Sequence, residues 1–274
     1  MFGLPVMCMI FVIFLLGCIV GSFLDVVACR FHTGKSLNGR SRCFSCGQTL
    51  SWFELFPLFS YLCLRGKCRA CHAKIPARLF LMEFLTACLF VFVYLHVSDF
   101  FELVFGLVLM SLCIVIALYD VKHMIIPNAF VGALFALVSI NIGVTIYAGD
   151  SYVEVINALV SGLGAGGFYV GLWLLSKGRW IGLGDAKLAL PLGAILAPVA
   201  TFSFVVLSFW VGAAISLLLL GSQIFYKRGK RHLQFLNIPL TIKSEVPFAP
   251  FILIAFWLVY YLHIDIFEML TFTL

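Results

Sequence analysis

The chain alternates between long apolar runs and short polar stretches, and most runs are long enough to cross a membrane. The first run, residues 4–24, supplies about 20 residues at about 1.5 Å each, which matches a hydrocarbon core of about 30 Å. After a polar stretch at residues 25–78, seven more apolar runs follow: 79–97, 102–119, 125–148, 154–175, 186–200, 202–226 and 246–263. The pattern predicts an all-α polytopic membrane protein with about eight transmembrane helices.

Two of these runs need an interpretation of their own. No Lys or Arg precedes the first run, so we interpret it as a retained helix rather than a cleaved signal peptide, with Gly17 and Gly21 on a packing face. The sixth run, 186–200, has only about 15 residues and includes Pro191 and Pro198. We therefore expect the sixth helix to be short, broken or re-entrant.

Composition supports the membrane assignment. Hydrophobic residues make up 63% of the chain and charged residues 11%, whereas soluble proteins carry about 25% charged residues. A soluble fold of this size has too little interior for so much apolar surface, which excludes soluble, fibrous and disordered classes. The net charge of +6 does not indicate nucleic acid, because membrane proteins acquire such an excess from cytoplasmic loops.

The distribution of charge predicts the orientation. If the basic stretch 25–78 is cytoplasmic, the later inside loops should be basic, and they contain Lys122, Lys177, Arg179, Lys187, Lys227, Arg228, Lys230, Arg231 and Lys243. The outside segments instead contain Asp99, Glu102, Asp150, Glu154, Asp265 and Glu268. We expect an even number of spans with both termini outside. The predicted domains are helix 1 at 1–24, a cytoplasmic loop domain at 25–78 and a seven-helix membrane domain at 79–274.

Four cysteines in the loop have the spacing of a metal site. Cys43 and Cys46 form one C-x-x-C pair, and Cys68 and Cys71 form another. Each pair can hold one side of a tetrahedral zinc ion, whereas two disulfides are disfavoured in a reducing cytosol. We expect a structural zinc that stabilises a loop too small to build much of a core.

Acidic residues near the membrane are the candidates for chemistry, because a carboxylate in hydrocarbon is costly. Asp120 ends the third apolar run, and Asp185 follows Gly182 and Gly184 at the start of the sixth, both on the predicted cytoplasmic side. The glycines permit either a close backbone approach or a positive φ. Each Asp alone suits a helix terminus, but together they can form a carboxylate dyad that activates water.

Further residues have two interpretations each. Glu83 is either a ligand contact or a hydrogen-bonded packing residue. Lys122 and Lys187, each two residues after an aspartate, either hold a carboxylate ionised or contact lipid phosphates. The glycines of the fifth helix, Gly162, Gly164, Gly166 and Gly167, favour close helix packing over nucleotide binding.

The set of motifs resembles one family. The chain contains the following motifs in this order: Gly21-Ser-Phe-Leu-Asp-Val-Val27; the Cys pairs around Trp52-Phe-Glu-Leu-Phe-Pro57 and Ser60-Tyr-Leu-Cys-Leu-Arg-Gly-Lys-Cys68; Asp120-Val-Lys-His-Met-Ile-Ile-Pro127; and Gly182-Leu-Gly-Asp-Ala-Lys-Leu188. These motifs and their order are similar to those of bacterial type IV prepilin peptidases, which are membrane aspartic proteases of the GxGD class that often also methylate the new amino terminus. The resemblance covers nearly the whole chain.

The resemblance implies an activity and its partners. It implies that Asp120 and Asp185 hydrolyse the leader peptide of prepilins or pseudopilins, and that the loop carries zinc and takes part in S-adenosylmethionine-dependent methylation. Glu54 and Glu83 are the acidic candidates for methyl transfer or substrate contact. We expect a bacterial inner-membrane protein in contact with lipid and without a nucleic-acid partner. Alternative interpretations are a proton-coupled transporter and a non-catalytic assembly factor of a pilus or secretion machine.

Overall fold

The computed structural model describes residues 4–32, 39–147, 152–227 and 246–266, and within these ranges it is helical, with no strand. The helices are α1 (Leu4–Arg30), α2 (Phe59–Cys63), α3 (Ala77–His96), α4 (Phe100–His123), α5 (Asn128–Tyr147), α6 (Tyr152–Ser176), α7 (Leu183–Gly193), α8 (Pro198–Lys227) and α9 (Ala249–Leu262). A 3₁₀ turn at Trp52–Leu55 precedes α2. The all-α prediction is confirmed.

Six of these helices are long and apolar enough to cross a membrane: α1, α3, α4, α5, α6 and α8. Each of the eight predicted runs contains a helix, but α7 has 11 residues and α9 has 14, which is about 16 and 21 Å at the rise of an α-helix. The structure therefore confirms a multi-pass membrane protein. It does not confirm eight spans.

The sixth predicted helix is shorter than its apolar run and displaced along it. We expected it over 186–200, whereas α7 begins at Leu183, contains Pro191 and ends at Gly193. Pro198 instead begins α8, because proline fits the first turn of a helix, where its missing N–H would have no intrahelical partner. The expectation of a short helix holds, and residues 198–200 belong to the next element.

The chain forms two compact units, residues 1–119 and 120–274. In the first unit α1 packs against α3 through glycines. A Cβ atom on Gly17 would lie 2.6 Å from the Ala87 Cα, and one on Gly21 would lie 2.9 Å from the Thr86 side chain. Residue numbers rise along α1 as they fall along α3, so the two helices are antiparallel. The predicted packing face of the first helix is confirmed.

In the second unit α6 also packs against α7 through glycines. A Cβ atom on Gly162 would lie 2.9 Å from the Leu190 carbonyl oxygen, and one on Gly166 would lie 2.9 Å from the Leu190 side chain. Gly164 and Gly167 have nothing within 4 Å of that position. The packing interpretation is thus correct for Gly162 and Gly166 and wrong for Gly164 and Gly167. Gly164 is two residues after Gly162 and Gly167 is one residue after Gly166, so both lie on another side of the helix.

Some charges behind the predicted orientation lie outside the described residues. These are Arg228, Lys230, Arg231 and Lys243 of the last inside loop, and Asp150 and Glu268 of the outside segments.

Candidate active site and metal centre

Asp120 lies in the last turn of α4 with its carboxylate buried. The residue is 5% exposed, and its Oδ2 accepts a hydrogen bond of 3.2 Å from the Ala249 backbone N–H. Ala249 is the first residue of α9, and the first amides of a helix have no intrahelical acceptor. The carboxylate therefore takes one of the free donors at the positive end of the α9 dipole.

Asp185 lies in the first turn of α7 and is 7% exposed. Its Oδ2 accepts a hydrogen bond of 3.2 Å from the N–H of Gly182, the N-cap residue. Gly182 has φ −76° and ψ 148°, so the positive-φ explanation for this glycine is wrong. A Cβ atom on Gly184 would lie 3.3 Å from the Ile126 side chain, so that glycine permits a close approach of the segment that follows Asp120.

The two carboxylates interact within the second unit. Burial, and after it the negative charge of Asp120, raise the pKa of Asp185 to about 7, while the hydrogen bond from the Gly182 N–H acts in the opposite direction. Two buried carboxyl groups that repel in this way retain a proton between them near neutral pH. Such a pair can offer one ionised oxygen as a base and one protonated oxygen as a hydrogen-bond donor.

The two lysines differ in their surroundings. The Lys187 ammonium donates a hydrogen bond of 3.2 Å to the Asn128 side-chain oxygen, which connects α7 to the start of α5. Lys122 is half-buried at the end of α4. The contact of Lys187 is thus with an amide, and a role for either lysine at the carboxylates or at lipid stays a prediction.

The four loop cysteines converge on one point. Their sulfur atoms all lie within 4.8 Å of one another, and the Cys43 and Cys71 sulfurs are 3.8 Å apart. Tetrahedral zinc–sulfur bonds of about 2.3 Å place sulfurs about 3.8 Å apart. No disulfide joins these four cysteines in the structure, and the spacing of their sulfurs fits a zinc ion.

The two cysteine pairs have the same backbone arrangement. The Cys43 N–H donates to the Gln48 carbonyl and the Gly47 N–H donates to the Cys43 carbonyl; the Cys68 and His72 amides donate in the same way to Ala73 and Cys68. Gly47 and His72 both have positive φ, 72° and 55°. These turns point amides at sulfur, and the Cys46 and Ser45 backbone N–H groups lower the pKa of the Cys43 thiol to about 6. Metal ligation requires that thiolate form.

The two glutamates make backbone contacts. Glu83 Oε2 accepts a hydrogen bond of 2.9 Å from the Leu58 N–H, which joins α3 to the segment just before α2. Glu54 Oε2 accepts a bond of 2.7 Å from the Ser51 N–H and so caps the 3₁₀ turn. Both residues have a structural role in the first unit, and their part in methyl transfer stays a prediction.

One contact of the site is not evident from the sequence. The Ala249 amide reaches Asp120 from 129 residues away. Phe248, the residue before it, packs in an aromatic cluster with Tyr169, Phe209 and Phe251. Only one local signal was available: Pro247 and Pro250 flank Ala249 and are typical of a helix start. That signal predicts a free amide but not its acceptor.

Comparison with known families covers both units. Residues 15–97 match the bacterial peptidase A24 N-terminal domain, and residues 107–217 match the type IV leader peptidase family. A prepilin leader peptidase/N-methyltransferase of Dichelobacter nodosus is 30% identical over 92% of this chain and 91% of the relative. This chain belongs to the type IV leader peptidase family. The N-terminal match contains the four cysteines, Glu54 and Glu83, and the family match contains Asp120 and Asp185.

Other members of the family are similar over shorter stretches. The prepilin leader peptidase/N-methyltransferase of Myxococcus xanthus is 34% identical over 76% of this chain, and the match spans 62% of that relative's length. The protein of the same name from Bacillus subtilis is 32% identical over 69% of the chain and 74% of the relative. No solved structure matches the chain.

Proposed function

We propose that this protein is a membrane aspartic endopeptidase that removes the basic leader of type IV prepilins or pseudopilins and then N-methylates the new amino terminus. The observation that carries the proposal is the buried pair Asp120 and Asp185, each hydrogen-bonded to an amide at a helix start. The names of the relatives, prepilin leader peptidase/N-methyltransferase, support both steps. In this proposal Gly184 lets α7 approach the Asp120 segment, and Gly182 supplies the amide that binds the Asp185 carboxylate.

The proposed hydrolysis uses the pair as base and acid. Asp120, as the ionised carboxylate, removes a proton from water while the water oxygen attacks the scissile carbonyl. Asp185, protonated near neutral pH, donates a hydrogen bond to that carbonyl oxygen. When the carbon–nitrogen bond breaks, the proton passes to the departing amine, and no acyl-enzyme forms.

The proposed topology places this chemistry at the cytoplasmic face of the bacterial inner membrane. Eight membrane segments, with α7 and α9 as short ones, give both termini outside and put the loop 25–78 between helix 1 and the membrane domain 79–274 in the cytosol. The basic inside loops and acidic outside segments support this orientation. A prepilin with a basic leader and an apolar helix then presents its cleavage bond at the same interface.

In this proposal the loop binds the zinc ion and takes part in methyl transfer. Cys43, Cys46, Cys68 and Cys71 would hold a zinc ion, which supplies a structural link between the two cysteine turns. S-adenosylmethionine would be the methyl donor, and the Glu83 carboxylate would orient or deprotonate the new amine. Support for that role comes from the position of Glu83 beside the loop.

Exchange of each aspartate for Asn tests the peptidase proposal. Asp120→Asn and Asp185→Asn preserve shape and remove a titratable oxygen, so we expect each to reduce leader cleavage in proteoliposomes by at least about 10³-fold. The control is the melting temperature and elution volume of each variant, which should indicate folded protein. Near wild-type cleavage by Asp120→Asn would exclude the dyad.

A further inference from the structure

The segment between α1 and α3 exposes large apolar side chains although it lies outside the spans Val6–Arg30 and Ala77–His96. Trp52 is 80% exposed. Four neighbours on the 3₁₀ turn, on α2 and between them are also exposed: Phe53, Phe56, Phe59 and Leu62. We call these five residues the aromatic surface. An exposed apolar patch on a segment outside the membrane spans indicates an interaction site.

Two contacts hold the aromatic surface beside the end of α3. The Leu58 N–H donates to Glu83, and the Tyr61 and Phe80 ring centroids are 5.1 Å apart. Because α3 begins at Ala77, Phe80 and Glu83 lie about 5 and 9 Å along its axis. Ala77 also begins the membrane span. Leu58 and α2 therefore lie at the depth of the membrane interface, and the 3₁₀ turn directly precedes them in the chain.

The charges around the aromatic surface are almost all positive. In the described part of the segment, residues 39–76, the exposed cations are Arg40, Arg42, Arg65, Lys67, Arg69 and Lys74. The single carboxylate there, Glu54, accepts the Ser51 N–H. The Arg69 guanidinium lies 5.2 Å from the centre of the Phe53 ring, so basic and aromatic side chains adjoin. Aromatic side chains favour the membrane interface, and lysine and arginine bind anionic headgroups.

We propose that the aromatic surface inserts into the interfacial layer of the bilayer while the surrounding cations bind phosphates of anionic lipids. The antiparallel packing of α1 and α3 brings both ends of the segment to one membrane face, so the bilayer is adjacent to the surface whenever the protein is inserted. The zinc-binding turns then lie along the membrane.

Tryptophan quenching by brominated lipid tests the proposal on the full chain. Wild type and Trp52→Phe are reconstituted in phosphatidylcholine vesicles with or without phosphatidylglycerol, each with ordinary or brominated acyl chains. The difference in fluorescence between the two proteins is the signal of Trp52, and the substitution changes only one exposed side chain. We expect brominated lipid to lower the Trp52 fluorescence by roughly half or more, with a larger effect in phosphatidylglycerol.

Matched variants separate depth from charge. Trp210→Phe serves as the reference, because Trp210 is exposed on the span Pro198–Gly221 and should be quenched equally in both lipids. Lys67→Gln with Lys74→Gln should remove part of the extra Trp52 quenching in phosphatidylglycerol and leave Trp210 unchanged. Equal Trp52 quenching in the two lipids would overturn the headgroup contact.

Two other results would overturn insertion itself. One is free access of aqueous iodide to Trp52 with no effect of brominated lipid, which means a surface in water. The other is protection from iodide only after prepilin is added, or only at high protein density in the vesicle. That result would assign the surface to a substrate helix or to a second copy of this chain.

Discussion

At the residue scale, Asp185 is the group with the most sharply defined environment. Burial and the charge of Asp120 raise its pKa to about 7, and the Gly182 N–H opposes them. An ordinary exposed aspartate is fully ionised at that pH. The environment therefore keeps the acid form available near neutral pH, which the proposed hydrolysis requires.

We predict that cleavage declines above pH 7. Loss of the Asp185 proton removes the group that polarises the scissile carbonyl, so the rate should decrease by about tenfold per pH unit on the alkaline side. At lower pH the pair gains its second proton and loses its base, so the profile should be bell-shaped, with apparent values that belong to the pair. Initial cleavage rates from pH 5 to 9 measure this; a flat profile from pH 6 to 9 contradicts it.

Thermal stability provides a control for that profile. The folded pKa of Asp185 exceeds its usual value, so the folded state binds this proton more tightly than the unfolded chain. Its contribution to stability is present at low pH and is lost as pH rises toward 7. Asp185→Asn has no such proton. Between about pH 4 and pH 7 we therefore expect its melting temperature to change less than that of the wild type.

Glu83 should separate the two proposed activities. We expect Glu83→Gln to impair methyl transfer to the new amino terminus more than cleavage, because the amide keeps an acceptor for the Leu58 N–H but loses the charge that orients the amine. Both rates and the melting temperature are measured on one preparation, with Glu102→Gln, an exposed glutamate in the first turn of α4, as the control. Parallel losses with a lower melting temperature would indicate a packing role only.

At the element scale, the short helix α7 decides where Asp185 lies. Its 11 residues pack against α6 because glycines leave room: a Cβ atom on Gly193 would lie 2.7 Å from the Ala165 side chain. The helix carries Pro191 in its interior, which removes one backbone hydrogen bond. Close packing against α6 thus stabilises α7 although one of its backbone hydrogen bonds is missing.

We predict that Gly162→Ala displaces α7 and that Gly164→Ala does not. The new methyl group at position 162 meets the Leu190 carbonyl, so we expect a destabilisation of about 1–3 kcal/mol and a several-fold loss of cleavage. Position 164 has open space, and alanine there should be neutral or slightly stabilising. Thermal unfolding and cleavage by both variants measure this. Equal effects would exclude the packing explanation.

At the scale of the whole molecule, the proposed orientation and the metal depend on each other. A cytosolic loop is reduced, so its four cysteines are available as thiolates for a metal. An outside loop would favour disulfides. The clustered sulfurs fit the first case, which also agrees with the basic character of the loop.

We therefore predict about one zinc per chain in purified protein. Replacement of Cys43 and Cys46 together by serine should remove the zinc, because two sulfurs alone hold it weakly. Metal analysis measures the stoichiometry, and Cys63→Ser, an exposed cysteine outside the cluster, is the control. Disulfides without metal would reverse both the zinc assignment and the cytosolic placement of the loop.

The class of fold, the helical runs and the cysteines of the metal site are predictable from the order of residues alone. Runs of apolar residues longer than a bilayer is thick have no other stable state than a membrane helix, and the C-x-x-C spacing limits which sulfurs can share a metal. These are local properties of composition and spacing. They can be read from residues 4–24 or from Cys43 and Cys46 without knowledge of the rest of the chain.

Tertiary packing was needed to establish where α7 ends, which glycines of α6 face α7, and which amide binds Asp120. An apolar run such as 186–200 does not specify where its helix ends, because apolar side chains are compatible both with the helix and with the turn that follows it. The Ala249 amide meets Asp120 because separate helices pack at that point. Contacts of this kind depend on the packing of distant segments, and no local pattern of residues encodes them.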